Sequence, residues 1–328
     1  MKVSPVHPYI IATAANDHTI RIWSLDPKRR SQPTIAICAG EGGHREGILT
    51  MVMTFFLPSN SLQAFHANPL YMLSGGMDHA VCLWMCPILY NLPPKASALP
   101  PPDPATIDIP ERYSYPHVST TAIHTDYVDC VEFHNDFILS KSSRENRIVL
   151  WHILGFDSQR KYDSRESMIQ PTTTHEYKET RSAFGDSVER LMHFDIRNCE
   201  PWFMKFAVFS YPIDLLSRTS THEREGKGAG TQERETIVPP STYLAMGNSG
   251  GNVYVWDLQV FEQASTKGDQ PGKTLTSAFA LMKPHSTLGV PKLKKLIRQM
   301  AWSTYGDWLV AVGDMGLVCL WQVGKHPN

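Results

Sequence analysis

The spacing around one serine matches that of a catalytic nucleophile. Residues 247–251, GNSGG, fit the pattern G-x-S-x-G, in which a strained strand-to-helix turn exposes a serine for attack on an acyl carbon. Here the match is followed by NVYVWD, a β-branched segment typical of a strand. We therefore predict a turn between two strands in which glycine supplies positive φ, and an esterase using Ser249 stays an alternative.

Cysteine and histidine spacing argues against metal chemistry. Cys82 and Cys86 are separated as two metal ligands could be, but no second pair lies at ligand spacing. Cys82, Cys130 and Cys319 fall in predicted strands, where cysteine packs as a small apolar residue, and six scattered Cys fit a reducing intracellular compartment. The prediction is a protein that is not an enzyme, with no catalytic residues, no metal and no cofactor.

Charge does not point to a nucleic-acid partner. The chain carries 31 basic and 32 acidic residues, a net charge of -1. Its one basic cluster, KLKKLIR at 292–298, is predicted to be a solvated loop, with a patch for nucleic acid or a localisation signal as the alternative. No apolar run approaches the ~20 residues of a membrane span. We expect no direct sequence-specific binding of nucleic acid and no membrane.

Five tryptophans close copies of the same segment, which consists of a short apolar strand, a tight polar turn and a β-branched strand. In the first two copies an acid, Asp17 or Asp78, lies six residues before the tryptophan, which is the signature of a WD-repeat blade. The closing residues are Trp23, Trp84, Trp151, Trp256 and Trp321.

The acid in each turn is predicted to accept hydrogen bonds from nearby backbone and from a His ahead of the first strand. In the second copy the network comprises His44, Ser74, Asp78 and Trp84. In the third it comprises His124, Ser140 or Ser142, Glu145 and Trp151. The fourth and fifth copies lack an acid at this offset, although Asp314 is one residue away.

The predicted fold class is all-β, a WD-repeat β-propeller with five recognisable blades. The first blade is incomplete, with Lys2 and Val3 as the trace of its first strand. Successive tryptophans lie farther apart than the roughly 40 to 45 residues of a minimal blade, which indicates insertions. We predict a single, N-terminally incomplete domain over residues 1–328, with loop insertions at 88–120, 155–195, 211–240 and 262–295.

Aromatic residues are predicted near one opening of the propeller. Aligning the first strands on their buried aromatic residues places Asp129, Trp202 and Arg298 at the same blade position, at the rim of the channel. Tyr127, Trp202 and Phe203 then lie near one mouth, where aromatic faces can hold a methylated ammonium group. The alternative is that aromatic residues at the start of a strand pack in the core.

Six segments carry a family resemblance: GGHREGIL, SGGMDHAVCLW, IHTDYVDCVEFHNDFILSKSSRENRIVLW, CEPWFMKF, GNSGGNVYVWDL and IRQMAWS. Together they resemble the extra sex combs / embryonic ectoderm development family, the WD-repeat subunit of Polycomb repressive complex 2. The resemblance implies a seven-bladed propeller in the nucleus without catalysis of its own. It implies as partners a SET-domain histone methyltransferase subunit of the Enhancer-of-zeste type, the other subunits of the complex and a trimethylated histone tail.

The resemblance also implies site residues. Trp202 and Phe203 match the adjacent aromatic pair of the family's methyl-lysine cage, with Phe203 in place of a Tyr, and Tyr127 and Arg298 match residues that line the same pocket. The other two cage aromatics lie in N-terminal blades of the family for which this sequence has no counterpart. A generic WD-repeat adaptor that binds peptides without recognising methylation is the alternative function.

Overall fold

A computed structural model describes residues 1–4, 7–55, 70–86, 109–158, 178–185, 187–201, 203–210, 242–259, 280–289 and 294–322. These residues form strands, turns and two short 3-10 turns, Pro27–Arg29 and Asp314–Gly316. Among the residues so described, no helix is long and apolar enough to span a bilayer. They divide into two compact units. Most of the first unit is Met1–Asp195, and most of the second is Phe203–Ala278 with Lys283–Asn328.

The strands are numbered in chain order. The first eleven are β1 (Lys2–Val3), β2 (Ile10–Ala14), β3 (Ile20–Ser24), β4 (Thr34–Cys38), β5 (Ile48–Phe55), β6 (Leu70–Gly76), β7 (Val81–Met85), β8 (Glu111–Tyr113), β9 (Val118–Thr120), β10 (Val128–His134) and β11 (Phe137–Ser142). The others are β12 (Arg147–Ile153), β13 (Thr180–Ser182), β14 (Val188–Asp195), β15 (Ala207–Phe209), β16 (Tyr243–Gly247), β17 (Asn252–Asp257), β18 (Ala280–Met282), β19 (Ser286–Gly289), β20 (Ile297–Trp302), β21 (Trp308–Gly313) and β22 (Val318–Gln322).

The first unit contains three five-stranded sheets. Their strand orders are β1-β2-β3-β4-β8, β13-β9-β7-β6-β5 and β10-β11-β12-β14-β18. The sheet β13-β9-β7-β6-β5 packs against the other two sheets, one on each face. Alternate side chains of a strand point to opposite faces, so neighbouring residues pack on different sheets. In β5, Met51 and Met53 pack with the first sheet, whereas Val52 packs with the third. Burial on both faces explains why the inner strands β5 and β7 are almost continuously apolar.

The second unit contains a four-stranded sheet, β15-β16-β17-β19, and a three-stranded sheet, β20-β21-β22. Ala245 and Val253 of the former pack against Ile297, Met300 and Leu309 of the latter. The two sheets approach closely at Gly247, where an added Cβ would lie 2.4 Å from Cγ2 of Ile297. The glycine that ends β16 is therefore required for packing.

The five sheets correspond to the five predicted blades. Each tryptophan of the repeat lies in the third strand of its sheet in chain order. The fold class prediction of an all-β WD-repeat propeller is confirmed. Lys2 and Val3 form β1, which pairs antiparallel with β2. The single-domain boundaries stay a prediction.

Two details differ from the expectations. The alignment of first strands treats the segment at 202–209 as one strand, but of residues 203–209 only Ala207–Phe209 form a strand, and Phe203 lies in a turn with φ of 68°. Parts of the predicted insertions pair as outer strands, namely β8, β9, β13, β14, β18 and β19. The sequence did not predict these strands, because an outer blade strand that is short or partly exposed lacks a strong alternation of apolar and polar residues.

Candidate functional site

The structure brings His44, Ser74, Asp78 and Trp84 together in the second sheet. Nδ1 of His44 donates to Oδ1 of Asp78 at 2.9 Å, and Nε2 lies 2.8 Å from Oγ of Ser74. Nε1 of Trp84 donates to the same hydroxyl oxygen at 2.9 Å. The backbone N–H groups of Arg45 and Ala80 donate to the Asp78 carboxylate. The four side chains thus tie the turn, the central strand and the entry loop of the blade together.

An equivalent network joins His124, Ser140, Glu145 and Trp151 in the third sheet. Nδ1 of His124 donates to Oε2 of Glu145 at 2.8 Å, and Nε2 is 2.7 Å from Oγ of Ser140. Nε1 of Trp151 donates to Ser140 at 2.8 Å. The sequence did not distinguish Ser140 from Ser142 as the serine of this network. Ser140 is the member, and the buried hydroxyl of Ser142 has no hydrogen-bond partner among the described residues.

The carboxylates of both networks are held in their ionised form. Burial raises the pKa of Asp78, but hydrogen bonds from His44 and from backbone N–H groups lower it more, so the net pKa lies below its usual value. Burial likewise raises the pKa of Glu145, and the bonds from His124 and Thr125 lower it well below its usual range. Burial lowers the pKa of His124, which keeps its imidazole neutral at pH 7. Its Nε2 then accepts the Ser140 hydroxyl proton.

In the remaining blades other groups hold the turn. Asp17 accepts from the backbone N–H and hydroxyl of Thr19 and pairs with Arg21 at 2.7 Å, while Trp23 donates to Thr13 at 2.8 Å. In the fourth blade Asn248 takes this role. Its Oδ1 accepts from the N–H groups of Gly250 and Asn252 at 2.9 and 2.8 Å.

Asn248 was not predicted from the sequence. The repeat pattern places an acid six residues before the tryptophan, whereas Asn248 is an amide eight residues before Trp256. The available signal was an asparagine followed two residues later by glycine, a pattern that favours a side-chain-closed turn. This turn also contains Ser249, and it connects β16 directly to β17. Gly251 there has φ of 82°. The segment is a strand–turn–strand hairpin, which lacks the helix of a nucleophile elbow.

Tyr127 lies in the first unit, immediately before β10. Its side chain is 40% exposed, and its ring lies 5.9 Å from that of His79. The carbonyl of Tyr127 accepts from the N–H of Ser143 at 2.9 Å, which fixes the backbone of this residue at the entrance to the strand.

Phe203 and Arg298 lie in the second unit. Phe203 is 42% exposed at a position of positive φ, so its ring is presented from a turn. The N–H of Lys205 donates to the carbonyl of Arg298 at 2.9 Å, which attaches the segment after Phe203 to β20. Trp202 lies outside the described residues. The prediction that these residues and Tyr127 form one cage therefore stays a prediction.

Asp129, predicted at the rim of the channel, is only 1% exposed. Nζ of Lys141, whose side chain is fully buried, donates to both of its carboxylate oxygens at 3.2 and 3.1 Å. Asp129 and Arg298 nevertheless occupy equivalent positions as the alignment requires, since each lies at a register shift near the start of its blade's first strand.

The cysteines lie in the fold as apolar residues. Cys82 and Cys130 are buried in β7 and β10, and Cys86 lies 3.6 Å from Cys38, sulfur to sulfur. No group of three or more metal-binding side chains occurs among the residues that the structure describes. Part of the basic cluster at 292–298 lies outside them.

Comparison with known proteins identifies relatives. The WD domain, G-beta repeat family matches residues 1–24. Polycomb protein EED of Chaetomium thermophilum is 37% identical over 222 residues, which cover 65% of this chain and 34% of that protein. Polycomb protein esc of Drosophila melanogaster is 26% identical over 98% of this chain and 57% of its own length. The chain thus spans between about a third and three fifths of these relatives.

Solved structures agree. A chain in the structure of ctPRC2 in complex with H3K27me3 and H3K27M superposes with a TM-score of 0.71 at 25% identity, covering 98% of this chain and 71% of that one. A chain in the crystal structure of the Chaetomium thermophilum Polycomb repressive complex 2 gives a TM-score of 0.70 at 26% identity over the same shares.

Proposed function

Because the chain belongs to the extra sex combs / embryonic ectoderm development family of WD-repeat proteins, we propose that it is a non-catalytic scaffold subunit of a Polycomb repressive complex 2 in the nucleus. It binds a SET-domain histone methyltransferase of the Enhancer-of-zeste type and the other subunits. It also binds trimethyl-lysine on a histone tail. Binding of the tail stimulates the methyltransferase, which is an allosteric coupling between two sites of one complex.

The observation that carries this proposal is the similarity of 98% of the chain to a chain of a complex solved with H3K27me3. The side chains of this protein support it, because Tyr127 and Phe203 present exposed rings at the entrances of their blades. Aromatic faces attract a methylated ammonium through their quadrupole, and desolvated contacts contribute about 2 kcal/mol. The residues proposed to line the trimethyl-lysine site are Tyr127, Trp202, Phe203 and Arg298.

Binding is tested by titrating the chain with a histone peptide in its trimethylated and unmodified forms, using calorimetry. We expect tighter binding of the trimethylated peptide, and we expect Trp202→Ala and Phe203→Ala each to weaken it by roughly tenfold. Tyr305→Ala is the matched control, since Tyr305 is 57% exposed elsewhere in the second unit and should leave affinity unchanged.

Equal affinity for the two peptide forms would favour a generic WD-repeat adaptor instead. The scaffold role has its own readout, which is copurification of a SET-domain methyltransferase with the tagged chain. Its absence among the partners would contradict membership of the complex. Ser249→Ala should alter neither property, because Ser249 lies in a β-hairpin.

A further inference from the structure

Arg298 and Asp314 form an ion pair in the three-stranded sheet of the second unit. Nε of Arg298 donates to Oδ1 of Asp314 at 2.5 Å in a charge-assisted hydrogen bond. The backbone N–H of Asp314 also donates to the carbonyl of Leu296 at 3.0 Å. The backbone that carries this carboxylate is thus bonded to the residue immediately before β20, the strand that contains Arg298.

The backbone around Arg298 explains where its side chain is directed. The register between β20 and β21 shifts between Ile297 and Gln299, which makes Arg298 the extra residue of a β-bulge. Bulges re-aim side chains and are frequent beside binding sites. The Arg298 carbonyl accepts from Lys205, two residues after Phe203, so the bulge is joined to the segment that presents the Phe203 ring.

Asp314 lies one residue before the turn position at which the second and third blades place an acid. It follows β21 and precedes β22, as Asp78 follows β6 and Glu145 follows β11. Those acids hold His44 and His124, whereas Asp314 holds a cation of the predicted cage. The acid in the turn of the last blade thus pairs with an arginine rather than with a histidine.

A trimethyl-lysine ligand is a permanent cation, and an unpaired guanidinium beside its site would repel it. We propose that Asp314 is a positioning residue of the trimethyl-lysine site, which orients Arg298 and neutralises its charge so that a cationic side chain can bind next to it. This inference rests on the proposed function. The side chains of Arg298 and Asp314 are 45% and 43% exposed, so their ion pair contributes little to the stability of the fold.

The test is a double-mutant cycle on the full chain with the trimethylated histone peptide, measured by calorimetry at about 0.05 and 0.5 M salt. Asp314→Asn should weaken binding roughly fivefold at low salt and less at high salt, because screening shortens the reach of the unpaired Arg298 charge. In the Arg298→Ala background the same change should cost at least threefold less. Asp314→Glu should restore most of the affinity, and thermal midpoints should not differ.

Asp307→Asn is the matched control, since Asp307 is an exposed acid in the β20–β21 turn of the same sheet. The inference is overturned if Asp314→Asn leaves affinity unchanged, or if it costs the same factor with and without Arg298, which would show direct attraction of the ligand. Failure of the proposed function is distinguishable, because the wild-type chain would then bind trimethylated and unmodified peptides equally.

Discussion

In the second and third blades, one serine hydroxyl contacts both the histidine and the tryptophan of the network. Ser140 donates to His124 and accepts from Trp151, so one side chain satisfies two buried nitrogen atoms. A buried polar group without a partner costs more than a hydrogen bond contributes, because its hydration is lost without replacement. The serine is therefore worth more than its size indicates.

We expect Ser140→Ala to lower the free energy of unfolding by roughly 1 to 3 kcal/mol, because it leaves the ring nitrogens of His124 and Trp151 without their partner. Ser142→Ala, two residues along the same strand, should change it by no more than about 0.5 kcal/mol, since its buried hydroxyl has no hydrogen-bond partner within the described part of the chain. Urea denaturation followed by tryptophan fluorescence measures both. Equal losses would contradict the assignment of Ser140 to the network.

At the scale of the element, the bulge in the first strand of a blade places one side chain differently in different sheets. In β10 the bulge residue is Asp129, which is buried with Lys141 of β11. In β20 it is Arg298, which is exposed with Asp314. The bulge is shared, but its charged residue pairs with a buried lysine of the next strand in one blade and with an exposed aspartate of a turn in the other.

Removing one partner of the buried pair should be far more costly than removing both. We expect Lys141→Ala to destabilise the protein by roughly 3 to 5 kcal/mol, because Asp129 keeps an uncompensated charge away from water. The double variant Lys141→Met with Asp129→Leu should recover most of this loss. Arg144→Ala is the control, because the Arg144 side chain is 85% exposed and its pair with Asp126 contributes at most about 1 kcal/mol. A double variant no better than Lys141→Ala would contradict the uncompensated charge as the cause.

At the scale of the whole molecule, different blades hold their turns with different chemistry. The first unit uses the carboxylates of Asp78 and Glu145, whereas the fourth blade uses the amide of Asn248, which does not titrate. For both acids the folded pKa lies below the unfolded one. Their stabilisation is present above the unfolded pKa of about 4 and is lost as pH falls below it.

Acidification should therefore weaken the second and third blades before the fourth. His124 acts in the same direction, because its lowered pKa makes the unfolded state take up a proton as pH falls below about 6.5. Hydrogen exchange corrected for intrinsic rates should show β5–β7 and β10–β12 losing protection at higher pH than β16 and β17. Glu145→Gln should flatten the pH dependence of β10–β12. Loss of protection in β16 and β17 first would contradict the carboxylate turns as its origin.

Local patterns were sufficient for the blades. The five tryptophans, the acid six residues ahead and the preceding histidine predicted the sheets and the members of two networks, because a hairpin and its closing turn are set by neighbouring residues. Short strands such as β8 and β13 escaped prediction, since three residues carry no measurable apolar period and they pair through contacts distant in sequence.

The sequence by itself determined the repeat, the family and the residue types at the predicted cage. Only the tertiary structure decided which of two serines completes a network, that Asp129 is buried by Lys141, and that Arg298 is paired with Asp314. The physical reason is that burial and charge pairing depend on which side chains a neighbouring strand brings within about 3 Å, and a linear spacing does not contain that distance.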